Sequence, residues 1–412
     1  MRITMCLTGI RYVKAPKPTG TKIRINLMKI LSIWSYVWDV IDEGVDEVVS
    51  TLKNEIGLNT LSVATSYHSV DHLRLHQLER NIYRAPAAIY FQPDGSLYAD
   101  TPIKPPVSPL VGETNPLRQI SESCDRHGMK LSSWTVCLHN SEIARNSPEV
   151  AQCDVFGNPS SHGLCPANEK VRAYMRALME DLTTNYNFAT VELESCDYQG
   201  GRHSHAHEKI GIQQGWMDKF LLALCFCESC RKRGREKGID VTVVANYVRS
   251  ELAVSFKAGR PIGINFEEFC DKSPEIRAYL DMRESVVSSL ISEIKAVSKA
   301  PIALMGMGDR WYSGCNAERI REIANWYEIL CYTPSREAVE NSVQNAARLM
   351  DGDASRVWVG FSAYPPASPD AEVLTANVKA VTQLGVQAIS FYNYGIMPKR
   401  NLQWVKVAIE GI

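Results

Sequence analysis

The chain has 412 residues, with 45 basic and 46 acidic side chains and a formal net charge of −1. A chain this close to neutral lacks the broad positive field that attracts nucleic acid or an anionic membrane, so neither is expected as a partner. No apolar stretch is long enough to span a bilayer, and the N-terminal region lacks the continuous apolar core of a signal peptide. We therefore predict a cytoplasmic protein in which residues 1–27 form a disordered leader and residues 28–412 form a single domain.

Short β-rich runs alternate with amphipathic helical patterns along the chain, which is typical of βα units around a parallel sheet. The predicted strands cover residues 29–38, 60–67, 130–138, 189–195, 301–307, 328–332, 356–363 and 386–392. Predicted helices over residues 45–55 and 117–126 end at Gly57 and Gly128, because glycine readily adopts the left-handed conformation that stops a helix. Eight such repeats predict an α/β fold, the closed (β/α)8 TIM barrel.

Two connections are much longer than the others. Residues 68–115 follow the second predicted strand, and residues 197–300 follow the fourth. Connections that leave the carboxyl ends of barrel strands lie on the face where ligands bind in this fold. Both insertions are therefore predicted to form walls of a ligand site.

Four cysteines have the spacing of metal ligands. Cys165 stands upstream of the fourth strand, and the run Cys225-Phe-Cys-Glu-Ser-Cys230 lies in the insertion after it. Four thiolates form a closed structural zinc site, and C-x-C-x2-C is a chelating turn. The chain has 12 cysteines, and their clustering favours a reducing compartment with bound metal over a disulfide framework. We predict a structural Zn²⁺ held by Cys165, Cys225, Cys227 and Cys230.

An acidic strand end marks the candidate catalytic centre. The fourth predicted strand contains Val191-Glu-Leu-Glu-Ser195, and alternation places Glu192 and Glu194 on one face of it. Glu194 is nearer the carboxyl end, where burial among apolar neighbours would raise its pKa toward that of a general acid. Glu192 lies deeper, where a buried structural glutamate is the better interpretation.

The order of these motifs resembles family 42 glycoside hydrolases, the zinc-containing β-galactosidases. The resemblance covers about residues 160–240: Cys165-Pro-Ala-Asn-Glu-Lys-Val-Arg172, then a helix, the strand that ends at Glu194, and the turn from Cys225 to Cys230. It implies a TIM-barrel enzyme of the clan A type, the acid/base role for Glu194 and zinc on the four cysteines. The chain departs from the family at Leu193, where the family has Asn. It also departs on strand 7, Arg356-Val-Trp-Val-Gly-Phe-Ser-Ala-Tyr-Pro365, which lacks the family's nucleophilic glutamate.

A second catalytic group must therefore come from another strand end. The leading candidates are Asp39 after the first strand, His139 after the third and Asp309 after the fifth, and Asp197, which follows Glu194, is a further one. An inverting glycosidase tolerates a wide separation of acid and base, which suits Asp39 or Asp309. A histidine oriented by an aspartate is also a base, and such a pair is similar to glycoside hydrolase family 156, a family of exo-sialidase barrels.

Substrate contacts are predicted on the same face of the barrel. Sugar rings stack on aromatic side chains, and arginines clamp carboxylates, so we expect contacts from rings, arginines and a histidine near the strand ends. The candidates are Trp38, Trp134, Arg202, His203, Arg310, Trp311 and Tyr392. The chain is therefore predicted to be a glycoside hydrolase that releases a terminal sugar from a carbohydrate substrate, with homo-oligomer assembly left open.

Three alternatives remain at this point. One is an exo-sialidase with an Asp/His pair, and another is a barrel that binds carbohydrate without cleaving it. The third is a metallohydrolase built on the cluster His203, His205 and His207, because alternate histidines can chelate a metal.

Overall fold

In the computed structural model, residues 29–79, 81–200, 209–306 and 308–412 are described. The predicted leader lies outside them. The described strands are β1 (Ile30–Ser35), β2 (Thr60–Tyr67), β3 (Val70–Leu73), β4 (Ile82–Ala85), β5 (Ala88–Ile89), β6 (Lys130–Val136), β7 (Ala151–Cys153), β8 (Pro159–Leu164), β9 (Thr190–Glu194), β10 (Ile302–Met305), β11 (Trp326–Leu330), β12 (Val357–Ser362) and β13 (Ala388–Tyr392).

The helices are α1 (Val37–Asp42), α2 (Val45–Ser50), α3 (Pro116–His127), α4 (Ser141–Asn146), α5 (Glu169–Asn185), α6 (Trp216–Ala223), α7 (Glu228–Glu236), α8 (Val241–Ala258), α9 (Phe266–Cys270), α10 (Pro274–Val297), α11 (Arg310–Ser313), α12 (Ala317–Ile320), α13 (Arg336–Leu349), α14 (Ala371–Gln383) and α15 (Leu402–Glu410). A π-helical turn, Thr51–Ile56, extends α2 to Gly57, and α3 ends at Gly128. Both glycines have positive φ, of 94° and 62°, as the sequence predicts. Among the described residues, none of the helices combines the length and apolar character that crossing a membrane requires.

Eight parallel strands close the predicted barrel. The order is β1-β2-β6-β9-β10-β11-β12-β13, and β13 pairs with β1 to complete the ring. Each barrel strand lies within a few residues of its prediction, so the α/β barrel is confirmed. The first predicted strand is too long, because the chain leaves the sheet after Ser35 and α1 begins at Val37. Trp38 and Asp39 therefore lie on a helix rather than on a strand.

The long connections carry additional structure. Between β2 and β6 the chain forms the β3–β4 hairpin and the short strand β5, which pairs with β2. A second hairpin, β7–β8, lies between β6 and β9. The described part of the connection from β9 to β10 contains α6 to α10.

The barrel interior is filled in layers by alternate strands, as this fold requires. The strand register places Ser62, Glu192, Glu328 and Ser390 in one layer, and Trp34, Trp134, Met305 and Gly360 in the layer above it. Gly360 leaves the room that the Trp34 ring occupies, because a Cβ at residue 360 would lie 2.5 Å from Trp34 Cη2. The layer that contains Glu192 and Glu328 therefore lies beneath a layer that contains Trp34 and Trp134.

Candidate active site

Glu194 is the last residue of β9 and faces the barrel mouth from the layer above Trp134. Its side chain is almost completely buried, and Trp134 Nε1 donates a hydrogen bond of 2.5 Å to Glu194 Oε2. Burial raises the pKa of Glu194 to about 7, and the indole hydrogen bond offsets part of that rise. A carboxyl group that keeps its proton near neutral pH can act as a general acid.

Glu192 lies two layers deeper, beneath the layer of Trp34 and Trp134, and is fully enclosed. Trp34 Nε1 donates to Glu192 Oε2 at 2.5 Å, and Ser62 Oγ donates to Oε1 at 2.6 Å. Burial raises the pKa of Glu192 to about 7 even though both donors lower it. With both oxygens engaged inside the barrel, Glu192 has the environment of a structural carboxyl group.

Glu328, on β11, is a buried carboxyl group that the sequence analysis did not select. Its side chain is fully buried, and no described residue donates a hydrogen bond to either of its oxygens. Burial, and then the neighbouring Glu192 and Glu194, raise its pKa well above the usual range. The missed signal was alternation in Trp326-Tyr-Glu-Ile-Leu330, because starting the strand at residue 328 hid the inward direction of Glu328.

Aromatic rings surround Glu194. The Trp134 ring lies 5.0 Å from Tyr67 and 6.1 Å from Tyr392, measured between centroids. The hydroxyl of Tyr36 lies 3.1 Å from that of Tyr67 and 3.0 Å from that of Tyr392. Two predicted substrate residues, Trp134 and Tyr392, thus lie near Glu194, together with Tyr36 and Tyr67.

Trp38 is not available for substrate. It has no exposed surface, and its ring is stacked on Tyr36 at 4.4 Å and on Tyr83 at 4.5 Å. Its Nε1 donates to His72 Nδ1 at 3.2 Å. Trp38, which is predicted to contact substrate, instead packs between Tyr36 and Tyr83, because it lies in the first turn of α1 and not on a strand.

Asp39 lies near the junction of α1 with the loop after β13. It is buried against Gly395, and His72 Nδ1 lies 4.0 Å from Asp39 Oδ2. Burial raises the pKa of Asp39 to about 8, although the nearby Arg74 lowers it. Asp39 belongs to the first turn of α1, and its near neighbours include His72, Arg74 and Gly395.

Asp309 and Arg310 are also engaged elsewhere. Asp309 is the exposed N-cap of α11, and its Oδ1 accepts hydrogen bonds from the backbone nitrogens of Trp311 at 2.8 Å and Tyr312 at 3.4 Å. The guanidinium of Arg310 is paired with the buried carboxylate of Glu284 and lies 4.6 Å from the Trp311 ring. Asp309, a predicted base, and Arg310, a predicted clamp for a substrate carboxylate, are therefore engaged in the local structure around α11.

His139 lies in a row of rings at the barrel mouth. Its ring centroid is 4.7 Å from that of His68 and 4.9 Å from that of His162, and His68 lies 4.1 Å from Tyr67. Tyr67 in turn contacts Trp134. His139 is therefore connected to Trp134 through the rings of His68 and Tyr67. Asp39 is connected to Trp134 as well, through His72 and Tyr36, whose ring lies 5.5 Å from that of Trp134. The candidates Arg202 and His203, and the histidine cluster around them, lie outside the described residues.

The four predicted metal ligands converge. The sulfur of Cys165 lies 3.5 Å from that of Cys230, 3.9 Å from that of Cys225 and 3.4 Å from that of Cys227, and all four sulfurs lie within 4.8 Å of one another. Tetrahedral zinc with Zn–S bonds of about 2.3 Å requires sulfurs about 3.8 Å apart, so the set fits the ion. Burial raises the pKa of the Cys165 thiol, and a bound cation would reverse that effect by stabilising thiolates.

This four-cysteine cluster, Cys165 with Cys225, Cys227 and Cys230, is connected to the strand end. Tyr198 follows Glu194 by four residues, and its hydroxyl lies 3.3 Å from Cys230 Sγ. The chain between them passes through Ser195, whose φ is 54°. The cluster therefore contacts the segment that leaves the candidate catalytic residue.

The closed barrel places the chain in the TIM-barrel fold class, and comparison with solved structures agrees. It is similar to the β-amylase catalytic domain of Paenibacillus polymyxa, with a TM-score of 0.55, 11% identity, and coverage of 92% of this chain and 97% of that one. It also resembles the β-galactosidases of the psychrophilic Marinomonas ef1 and of the haloarchaeon Halorubrum lacusprofundi, with TM-scores of 0.55 and 0.56, identities of 11% and 12%, and 92% of this chain covered in each case.

The chain spans 59% and 57% of the length of those two β-galactosidases. No protein-family model and no curated protein matches its sequence. The neighbours are TIM-barrel glycoside hydrolases, and at this level of identity the likeness shows the fold. The resemblances to families 42 and 156 remain predictions.

Proposed function

We propose that the protein is a glycoside hydrolase in which Glu194 protonates the departing glycosidic oxygen. The observation that carries the proposal is a carboxyl group with a pKa of about 7 at the carboxyl end of a barrel strand, held by Trp134 and surrounded by rings. Ligands bind at this face in TIM barrels, and a raised carboxyl pKa is the property of a glycosidase acid. Tyr332, which is 40% exposed and 5.7 Å from Tyr392, adds a surface on which a sugar ring can stack.

For the second role we propose His139. An inverting enzyme needs a base that activates water on the opposite side of the sugar ring, and neutral imidazole can take that proton. What supports this choice is that the His139 ring is stacked on His68 at the barrel mouth, whereas Asp309 caps α11 and Asp39 is buried against Gly395. The guanidinium of Arg310 already holds the Glu284 carboxylate, so Arg310 is not proposed as a clamp for an acidic sugar.

We also propose that the four-cysteine cluster holds a structural zinc ion. Four sulfur ligands leave no open coordination position, so the ion would not activate water. Its expected effect is to fix the chain around Tyr198 and thereby the exit from β9.

Aryl glycosides of common neutral sugars, an aryl sialoside and neutral oligosaccharides test the proposal. Glu194→Gln should lower kcat/KM by at least about 100-fold, the lower end of what a general acid contributes. His139→Gln should also lower it and remove a limb of the pH profile. An aryl glycoside with a good leaving group should restore part of the rate in Glu194→Gln, which a folding defect would not. Unchanged cleavage in Glu194→Gln would refute the assignment.

A further inference from the structure

A cavity of about 700 Å³ lies beside the barrel mouth. The β7–β8 hairpin forms one wall, and the segment that includes α6 and Cys225 forms the other. Its lining includes Gln152, Asn158, Ser161, Gln199 and Leu222. A volume of this size is in the range of small-molecule binding sites.

The cavity adjoins the candidate catalytic centre by two routes. Gln199 lines it, and Gln199 Nε2 donates to Asp197 Oδ1 at 2.8 Å, three residues beyond Glu194. His162 also lines it, and its ring lies 4.9 Å from His139. A ligand that extends from Glu194 along the row of rings would therefore enter this cavity.

Three amide side chains in the cavity lining are oriented by hydrogen bonds that their side-chain nitrogens donate. Gln152 Nε2 donates to the Leu164 carbonyl oxygen at 3.1 Å, Asn158 Nδ2 donates to Asp154 Oδ2 at 2.8 Å, and Gln199 is held by Asp197. No described residue donates to the side-chain oxygens of Gln152, Asn158 or Gln199. The amides therefore offer oriented acceptors.

Acceptor oxygens suit hydroxyl groups. The lining also includes Asp154 and Lys219, one charge of each sign, so these two side chains give it no net charge that would favour an anion. Asp154 does not add a free carboxylate, because it accepts hydrogen bonds from the backbone nitrogens of Phe156 and Asn158, each at 2.9 Å, as well as from the Asn158 amide. The apolar part of the lining, from Leu222 and Tyr312, matches the C–H faces of sugar rings. The lining thus has the chemistry that recognises a neutral polyhydroxyl chain.

The cavity walls are fixed to each other. The backbone nitrogen of Phe226 donates to the Cys153 carbonyl oxygen at 2.6 Å, and the Cys153 nitrogen donates to Cys225 Sγ at 3.3 Å. At the rim, a Cβ on Gly200 would lie 2.8 Å from the Tyr312 ring and 2.9 Å from Ala223 Cβ. The hairpin and the cysteine turn are therefore one rigid frame around the space.

We propose that this cavity binds the leaving-group side of a neutral oligosaccharide, so that the preferred substrate is a sugar chain rather than a small glycoside. The inference rests on the proposed glycosidase function, and it adds a substrate class and a second contact region to it. The binding step needs no chemistry at Glu194, which allows the two proposals to be tested separately.

The test measures binding by tryptophan fluorescence to full-length Glu194→Gln protein. The probes are galacto-, gluco- and xylo-oligosaccharides, the matching monosaccharides, and a sialylated trisaccharide. At least one neutral oligosaccharide should bind more tightly than its monosaccharide. Introducing Gln152→Ala into the Glu194→Gln protein should weaken oligosaccharide binding by about 2- to 12-fold, which corresponds to the loss of one hydrogen bond. Monosaccharide binding should not change.

Ser161→Trp is a second variant that fills the cavity from an exposed position without removing a described hydrogen bond, and it should weaken oligosaccharide binding by about tenfold or more. Gln344→Ala, an exposed amide on α13, is the matched control and should change nothing. Equal binding of oligosaccharide and monosaccharide, preference for the sialylated probe, or unchanged binding in both cavity variants would overturn the proposal. Cleavage at the wild-type rate by Glu194→Gln would overturn the general-acid role, and the comparison of cavity variants would then be made on KM for the oligosaccharide, which keeps the two proposals separate.

Discussion

The raised pKa of Glu194 makes a prediction that needs no substrate. Glu194→Gln keeps a side chain of the same shape that can accept the Trp134 hydrogen bond, but it removes the ionisable group. The folded wild-type protein binds the Glu194 proton with a pKa of about 7, compared with 4.5 for an ordinary glutamate. The folded state thus holds this proton more tightly than the unfolded state, so wild-type stability should fall as the pH rises from 4.5 to 7 and level off above 7.

The size of the effect follows from the shift. A difference of about 2.5 pKa units at 1.36 kcal/mol per unit corresponds to about 3 kcal/mol. Glu194→Gln has no carboxyl group to titrate at this position and does not lose this stability. Its unfolding free energy relative to that of the wild type should therefore rise by about 3 kcal/mol between pH 4.5 and pH 7. This gain in the unfolding free energy of Glu194→Gln relative to the wild type should be fully present above pH 7 and absent below pH 4.5.

Urea-induced unfolding followed by tryptophan fluorescence at several pH values measures the difference. Glu122→Gln, an exposed carboxylate on α3, is the matched control, and its difference from the wild type should stay flat. A flat difference for Glu194→Gln would refute the reasoning, because it would mean that Glu194 titrates alike in the folded and unfolded chains.

Three further predictions concern other parts of the barrel. Cys230→Ser should abolish bound zinc measured by elemental analysis and lower the unfolding temperature, whereas Cys270→Ser, a buried cysteine outside the four-cysteine cluster, should retain the metal. Glu328→Leu removes a carboxyl group without hydrogen-bond donors among the described residues and should raise the unfolding free energy at pH 7 by about 1–3 kcal/mol; a loss would argue for an undetected partner. Gly395→Ala should cost about 1–3 kcal/mol in urea unfolding, because its Cβ would lie 1.8 Å from Asp39 Oδ2, and an unchanged midpoint would show that the loop relaxes freely.

The barrel was predictable because its signals are local. Alternating apolar runs, helical periodicity and the glycines at positions 57 and 128 each act over a few residues, and each barrel strand was found close to its predicted position. The exception shows the limit of that signal. The run from Ile30 to Trp38 stays apolar past the end of the strand, so hydrophobicity alone does not reveal the turn at Tyr36 into α1.

The candidate site was predictable in part. Glu194 followed from strand alternation, and the turn from Cys225 to Cys230 followed from its spacing, because both depend on neighbouring residues. Cys165 is distant in sequence and was predicted because a closed zinc site needs a fourth thiolate. The directions of Asp39 and Asp309 depend on helix starts and on packing with distant segments, which position along the chain does not encode. Glu328 was missed for a related reason, since an error of two residues at the start of β11 concealed which side chains point inward.

The close approach of Trp34 to β12 restricts how this barrel can be redesigned. Installing a carboxylate nucleophile on the seventh barrel strand at residue 360 would drive the new side chain into the indole ring, 2.5 Å from where its Cβ would stand. Ser362, the next inward position and the register partner of Tyr392, offers the route that leaves the aromatic layer intact. A retaining enzyme engineered from this scaffold would therefore place its nucleophile one step closer to the mouth.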